Sequence, residues 1–471
     1  MDAVRTLKTG ISGVRGVVGD SLTPGLVVRF AQAFGTYLKG GRVAVGRDTR
    51  PSGEMVQAAV VGGLLACGCE VRDFGVLPVP TLQLAVARHD FDGGIAITAS
   101  HNPQEWNALK FIGGDGTFLR PYQAEELLDI YHQGEFALVP EPQVGLCMAG
   151  EGALEEHLSA ILAHTDVEAI RAAGLRVVVD CCNGAGALMA PVLLRELGCR
   201  EVFVINGDPT GLFAHPPEPV PAHLGALQAA VRELGADLGF AQDADADRLA
   251  LVDERGLAVG EEYTLALAAE AVAARRAPLP LVTNLSTSRM IDEVAQRYGC
   301  FVRRTPVGET NVVEAMKQEA AKFIAAGLTA EPDWVFGGEG NGGVIDPCVH
   351  YCRDSHRAMA LILEGLARSG KSLSAWIASS FRPSAIVKDK IECPVAKVQQ
   401  VMLALRSRYA DRGHVDETEG IKVVWPDRSW LHARPSNTEP VVRVVAEADT
   451  PQAATALVAE ALDVVREAIA T

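Results

Sequence analysis

Three stretches of the chain repeat one order of apolar and polar positions. Each opens with a short run of β-forming residues that breaks into a polar loop. These are Arg42-Val43-Ala44-Val45 before GRDTRPSG, Val177-Val178-Val179 before DCCNGAG, and Leu281-Val282 before TNLSTS. A helical segment follows in each and ends in a Gly-Cys pair: Gly68-Cys69, Gly198-Cys199 and Gly299-Cys300. Glycine just past a helix takes the left-handed cap conformation, and a small cysteine suits a buried strand start. A second strand comes next, at Glu70-Val71, Glu201-Val202-Phe203-Val204 and Phe301-Val302. Each unit then reaches a further strand that ends in a chemically loaded loop: GGIAITASHN, ADLGFAQDADADR and DWVFGGEGNGG. Alternating strands and helices of this length predict mostly parallel sheets with helices packed on them, and functional loops at the carboxyl ends of the strands.

After Gly370 the pattern changes. A helix (LSAWIAS), β-rich runs (IECPV, GIKVVW, WLHARP, VVRVVAEA) and a closing amphipathic helix predict a separate α+β domain. The fold class expected is therefore α/β, three similar domains with mixed or parallel sheets plus a C-terminal α+β domain. Boundaries fall at 1–155, 156–258, 259–370 and 371–471.

Composition narrows the partners. A chain of 471 residues is too long for one core, and 48% hydrophobic with 22% charged residues describes a globular protein. The net charge of −16 argues against nucleic acid and anionic membranes, so an anionic ligand must meet locally concentrated positive charge. No window is apolar enough for a membrane span, and the N-terminus lacks a signal peptide's apolar core. The ten cysteines form no CxxC pairs. Reduced thiols in the cytoplasm follow as the expectation, and a structural zinc is not expected even where Cys348 and Cys352 flank His350.

The candidate chemistry sits in the strand-end loops. In Ile95–Lys110 an apolar run stops at Thr98-Ala99-Ser100-His101-Asn102-Pro103, and Pro103 disfavours helical geometry before it, which predicts an extended loop around Ser100. A serine hydroxyl beside an imidazole, with Lys110 shortly after, supplies a nucleophile and candidate proton carriers. Asp243, Asp245 and Asp247 alternate with alanines. In an extended segment they would project to one side and converge on one hard cation, for which all-oxygen ligation suits Mg²⁺. An EF-hand is excluded because Arg248 occupies the place that needs glycine and LALV continues as a strand. Arg248 could orient a carboxylate or meet a phosphate. Gly337–Gly343 combines a pliant backbone with Glu339 and Asn341, natural partners for sugar hydroxyls. Arg434-Pro435-Ser436-Asn437-Thr438-Glu439-Pro440, with Arg443 beyond, offers donors suited to a phosphate dianion. Ser12-Gly13-Val14-Arg15-Gly16 and Arg47-Asp48-Thr49-Arg50 add cationic groups around the serine loop.

Taken in order, SGVRG, GRDTRPSG, TASHNP, GLFAHPPEP, DADADR, GGEGNGG and RPSNTEP cover essentially the whole chain, which resembles the α-D-phosphohexomutases. That family comprises phosphoglucomutase, phosphomannomutase and phosphoglucosamine mutase. The resemblance implies four domains around a central cleft. It implies phosphoryl transfer between a phosphorylated Ser100 and a hexose monophosphate through a bound hexose 1,6-bisphosphate. Asp243, Asp245 and Asp247, with the serine phosphate, would hold one Mg²⁺. Arg15, His101 and Lys110 match positions near the transferring group, Lys110 being the favoured proton carrier. Glu339 and Asn341 would hold sugar hydroxyls, and Arg434, Ser436, Asn437, Thr438 and Arg443 the non-reacting phosphate. Its partners are then small hexose phosphates. Some positions depart from the usual pattern: Ala244 replaces glycine, Asn341 replaces serine in many members, Glu309 stands where some carry histidine, and Asn437 replaces glycine. A metal-dependent phosphatase would not need the distal phosphate loop, and a silent sensor would not need Ser100 with three aspartates.

Overall fold

The computed structural model describes residues 6–10, 13–327, 334–436 and 440–470. The chain divides into two compact units. One runs to Ala271 and takes in Asn341–Ser374; the other comprises Val272–Gly340 and the chain from Ala375.

The first unit contains two sheets. In the larger, β1 (Lys8–Gly10), β2 (Gly13–Val17), β3 (Arg42–Arg47), β4 (Glu70–Val76), β5 (Gly93–Ile97), β6 (Trp106–Gly113) and β7 (Cys147–Ala149) take the order β1-β2-β6-β5-β3-β4-β7. β3 runs parallel to both β4 and β5, whereas β6 returns antiparallel to β5. Helices Pro24–Tyr37 and Gly53–Leu65 cover it around a core of Phe30, Phe34, Val45, Ile95 and Phe111. Thr23 starts the first helix by accepting the Leu26 amide, with Pro24 in the first turn. The second sheet holds β8 (Arg176–Asp180), β9 (Glu201–Ile205), β10 (Leu238–Gln242) and β11 (Leu249–Asp253) in the order β11-β10-β8-β9. There β10 is parallel to β8 and antiparallel to β11. β10 and β11 are buried along their whole length, so the loop between them is fixed at both ends.

In the second unit β12 (Pro280–Asn284) runs parallel to β13 (Phe301–Thr305) and β14 (Phe336–Glu339). The next strand, β15 (Gly343–Ile345), lies in the first unit's portion of the chain. The last sheet is wholly antiparallel: β16 (Ala385–Glu392), β17 (His414–Asp416), β18 (Ile421–Val424), β19 (Trp430–Pro435) and β20 (Val441–Ala448), ordered β16-β20-β19-β18-β17. Helices Val398–Tyr409 and Pro451–Ala470 pack on it around Val401, Leu405, Tyr409, Val444 and Val465. The architecture is the four-part α/β arrangement expected. The helix Val398–Tyr409 is an addition that the β-rich reading of the tail missed.

The three Gly-Cys punctuation marks hold in their backbone. Gly68, Gly198 and Gly299 have φ of 78°, 89° and 68°. Cys69 is fully buried as expected, but Cys199 and Cys300 are only half-buried, because they lead into the edge strands β9 and β13, whereas β4 is flanked by β7. All ten cysteines are free thiols.

Candidate active site

β5 is buried throughout and delivers Thr98-Ala99-Ser100 to its carboxyl end. Ser100 is not extended. Its φ is +50°, a left-handed conformation that a non-glycine residue adopts only when its surroundings enforce it. The enforcing group is Arg50, which is completely buried. Its Nη2 donates to the carbonyls of Ser100 and Asn102, both at 2.7 Å. Its Nη1 donates to those of Pro103 at 2.6 Å and Trp106 at 3.0 Å. Nε donates to Asp48 Oδ2 at 3.0 Å, and the guanidinium lies over the Phe213 ring. Asp48 also accepts from the Thr98 hydroxyl at 2.7 Å, and Thr98 Oγ1 accepts the Ser100 amide at 2.9 Å. Arg50 is thus a scaffold for the serine loop rather than a ligand-facing cation. Gly211, ahead of Phe213, comes so close to Thr49 that a Cβ there would lie 2.0 Å from the Thr49 carbonyl oxygen. The GLFAHPPEP segment thus carries Phe213 onto Arg50.

The aspartates do converge, but not on an extended strand. The chain turns between β10 and β11 with Ala246 at φ +60°, and the turn brings Asp243, Asp245 and Asp247 together. Their carboxylate oxygens lie within 4.8 Å of one another, all buried. Ser100 Oγ donates to Asp243 Oδ2 at 2.8 Å. Asp243 Oδ1 accepts the amides of Asp247 and Arg248. Lys110 Nζ donates to Asp245 Oδ2 at 2.8 Å and lies 3.8 Å from Asp247 Oδ2, which Arg353 Nη2 reaches at 2.6 Å. The serine, lysine and aspartates expected from the sequence thus share one site. Arg353 joins them without a sequence signal, since it follows no motif and stands more than 100 residues away in the chain.

A divalent cation fits this cluster. Asp245 Oδ1 and Asp247 Oδ1 are buried with no hydrogen-bond donor, a state costly unless a cation satisfies them. Burial, then the charges of Asp245 and Asp247, push the Asp243 carboxyl well up. Burial and the two neighbouring negative charges both penalise the ionised form, and a bound cation would relieve both. Burial also acts to raise Asp247, but Arg353, Lys110 and Arg248 outweigh it and hold its carboxyl low.

Around the serine, His101 Nδ1 lies 3.3 Å from Ser100 Oγ. Arg248, then burial, bring its imidazole well below the ordinary range, so it is neutral near pH 7. Burial acts to lower Lys110, but Asp245 and Asp247 raise it overall, so it is an ammonium. Arg15 Nη1 donates to Asn102 Oδ1 at 3.2 Å, and Arg248 Nε lies 3.7 Å from Asp247 Oδ1. Asn341 is also in the first unit, where its Oδ1 accepts the Gly343 amide at 3.2 Å.

In the second unit Glu339 ends β14, buried, and its Oε1 accepts from Asn284 Nδ2 at 2.8 Å and the Gly308 amide at 3.0 Å. Glu309 begins the next helix, Glu309–Ala325, and is itself buried. Arg434 and Arg443 face each other across β19 and β20. Arg434 Nη1 lies 3.3 Å from Glu419 Oε1, whose other oxygen accepts the Val307 amide at 2.7 Å. Ser436 closes the hairpin, its amide donating to the Val441 carbonyl at 2.9 Å. Asn437 and Thr438, like Ser12, lie outside the described residues.

Comparison with known proteins agrees along the whole chain. Four family models match in order: phosphoglucomutase/phosphomannomutase alpha/beta/alpha domains I, II and III at residues 6–138, 155–256 and 260–383, and the C-terminal domain at 387–464. A Methanopyrus kandleri protein named a probable phosphoglucosamine mutase is 40% identical over 98% of both chains. A Thermococcus kodakarensis phosphoglucomutase/phosphomannomutase is 38% identical, covering 94% of this chain and 95% of its own. The crystal structure of a Burkholderia thailandensis protein of the phosphoglucomutase/phosphomannomutase family superposes with a TM-score of 0.78 at 25% identity, covering 99% of this chain and 97% of that one. The fold and the acidic site define a metal-dependent phosphosugar mutase, an isomerase. The chain belongs to the phosphoglucomutase/phosphomannomutase family.

Proposed function

We propose that the chain interconverts hexose 1-phosphates and hexose 6-phosphates by passing a phosphoryl group through Ser100. The observation that carries this is the Ser100 hydroxyl, 2.8 Å from an Asp243 that clusters with two aspartates whose buried Oδ1 atoms lack donors. In the forward half-reaction the Ser100 Oγ–phosphorus bond breaks and a bond forms between phosphorus and the free hydroxyl of the sugar phosphate. The product is a hexose 1,6-bisphosphate, and the return half-reaction transfers its other phosphate to Ser100. The sugar hydroxyl gives up a proton and the departing serine oxygen gains one. Neutral His101, 3.3 Å from Ser100 Oγ, can accept a proton, while Lys110, held as an ammonium, can donate one. Asp243, Asp245 and Asp247, with Ser100, would hold Mg²⁺, which neutralises charge on the transferring group.

The other residues bind and orient. Opposed like charges on neighbouring strands repel, and a phosphate dianion at Arg434 and Arg443 would offset both. We assign Ser436, Asn437 and Thr438 to the same phosphate, and Glu339 and Asn341 to sugar hydroxyls. Arg15 and Arg248 face the reacting phosphoryl group. The four domains are taken as 1–155, 156–258, 259–370 and 371–471. The names of the two relatives reported above make glucosamine, glucose and mannose the first sugars to test.

Intact-mass measurement of the wild type should show one phosphate mapping to Ser100. Coupled assays with the three 1-phosphates should show turnover that Ser100→Ala abolishes without loss of fold. Near-normal mutase activity in Ser100→Ala would overturn the mechanism.

A further inference from the structure

The first unit holds a second buried cluster of titratable groups. Asp354 Oδ2 lies 2.9 Å from His157 Nε2 and 3.2 Å from His350 Nε2, and donor atoms from all three fall within the span of a metal site. The hydrogen bonds argue against a metal there. The Cys352 amide donates to His350 Nδ1 at 3.2 Å, so Nδ1 is the acceptor and Nε2 carries the proton toward Asp354. A ligating Nε2 would require the opposite tautomer. Thr81 Oγ1 at 2.9 Å from His157 Nδ1 lets His157 Nε2 donate to Asp354 in the same way. Asp354 Oδ1 accepts the His356 amide at 2.9 Å and so caps the helix Ser355–Ser369.

That helix start reaches the aspartate turn. Arg353 holds Asp247 Oδ2 at 2.6 Å and leaves Oδ1 without a donor. Ser355 Oγ donates to the Ala246 carbonyl at 2.6 Å and its amide approaches the same oxygen at 3.3 Å. Gln242, at the end of β10, donates to Ser355 Oγ at 2.7 Å. Ala246 is the left-handed residue whose turn sends Asp247 toward Asp243, and the carbonyl that follows from that conformation is the one Ser355 grips.

We propose that Arg353 and Ser355 are positioning residues for the Asp243–Asp247 turn, anchored from behind by a metal-free His157–Asp354–His350 network. The proposal rests on the reading of that turn as the cation site. Ser355 stabilises a backbone conformation unfavourable to alanine and natural for glycine. Loss of its hydroxyl should therefore be repaired by removing the Cβ that makes the turn strained.

The test is a Mn²⁺ titration followed by electron paramagnetic resonance, with kcat and KM measured alongside on a hexose 1-phosphate. Ser355→Ala should weaken Mn²⁺ binding and lower kcat, each roughly tenfold, the loss of one well-placed hydrogen bond. KM for the sugar phosphate should stay within twofold. Adding Ala246→Gly should recover most of both losses, which a merely structural serine would not allow. His157→Gln should weaken Mn²⁺ binding several-fold while elemental analysis finds no transition metal in it or in the wild type. Mn²⁺ affinity unchanged in Ser355→Ala, or a loss that Ala246→Gly does not repair, overturns the clamp. Zinc retained by the wild type and lost from His157→Gln overturns the metal-free anchor. A wild type that binds Mn²⁺ but isomerises no hexose phosphate overturns the function reading alone, and the titration still judges the clamp.

Discussion

Arg50→Met is the sharpest perturbation of the serine loop that removes none of the reacting side chains. Arg50 is fully buried and donates to four backbone carbonyls, those of Ser100, Asn102, Pro103 and Trp106, and to Asp48. Summing charged hydrogen bonds at about 1.5–3 kcal/mol each would overshoot, because such contacts are not additive. Breaking a buried ion pair from one side costs about 3–5 kcal/mol, which is the better estimate. Asp48 sets the upper limit: burial, against the pull of Arg50, already pushes its carboxyl up, so without Arg50 it takes a proton instead of remaining a bare charge. Calorimetry should show the first unit's unfolding transition moved down, consistent with about 3 kcal/mol or somewhat more. The loop then loses what holds Ser100 at φ +50°, and misplacement of a reacting group by about 1 Å costs about 100-fold in rate. A kcat lowered about 100-fold with KM for hexose 1-phosphate unchanged is the expected signature. Arg50→Lys should fall between, since an ammonium cannot reach all five acceptors. If Arg50→Met kept kcat within threefold and its unfolding transition in place, the account of the serine loop would be refuted.

Arg434→Ala should raise KM about 10–100-fold with kcat nearly intact, the loss of a charge-assisted phosphate contact worth about 1.5–3 kcal/mol. Steady-state kinetics decide it, and unchanged KM and kcat together would remove the C-terminal domain from the reaction. His432 gives a pH prediction. It is buried between the Ser286 hydroxyl and the Glu419 carbonyl, and burial brings its imidazole down to about 4. The folded state refuses a proton that the unfolded chain binds near 6.5, so stability is full above that pH and declines as pH falls toward 4, by about 3 kcal/mol in all. His432→Gln should flatten the acid limb of the second unit's unfolding temperature between those pH values, and an unaltered limb would show that other groups govern it.

The loaded loops were legible because strand, turn and polar residue are neighbours in sequence. Ser100, His101, Lys110 and the three aspartates stand in one site, as the family resemblance implies. What the sequence could not disclose was backbone hand. The sequence pattern predicts both Ser100 and Ala246 as extended, yet both are left-handed, and neither is a glycine that signals it. Nor was Arg50 legible as a scaffold: next to Asp48, an arginine in a polar loop looks like a ligand-facing cation until its burial is known. Arg353 and Ser355 act across more than 100 residues of chain, beyond the reach of any periodicity. The β-rich runs on either side of Val398–Tyr409 mask its helical pattern in the sequence.

The repeat explains why these supports exist. In each of the three units the first strand of the pattern is the parallel neighbour of the strand that carries the chemistry: β3 beside β5, β8 beside β10, β12 beside β14. Parallel neighbours release their loops at the same edge, so the loop after the first strand must meet the functional loop. In the first unit of the repeat, Asp48 and Arg50 grip the Thr98–Trp106 segment. In the second, the Ala185 amide donates to the Ala244 carbonyl at 2.9 Å, and Gly184 comes so near that a Cβ would sit 2.6 Å from that oxygen. In the third, Asn284 donates to Glu339 Oε1 and Thr287 Oγ1 accepts the Gly340 amide at 3.1 Å. Different residue types perform one task because the topology, not the motif, imposes it. Ser100 and Ala246, left-handed within the functional loops themselves, need more than this shared support, since each carries strain of about 1–3 kcal/mol. Each has its own carbonyl held by one buried side chain, Ser100 by Arg50 and Ala246 by Ser355. At these two positions the strained residue is the one that aims the nucleophile or the third aspartate, and each is matched by a hydrogen bond from outside its loop.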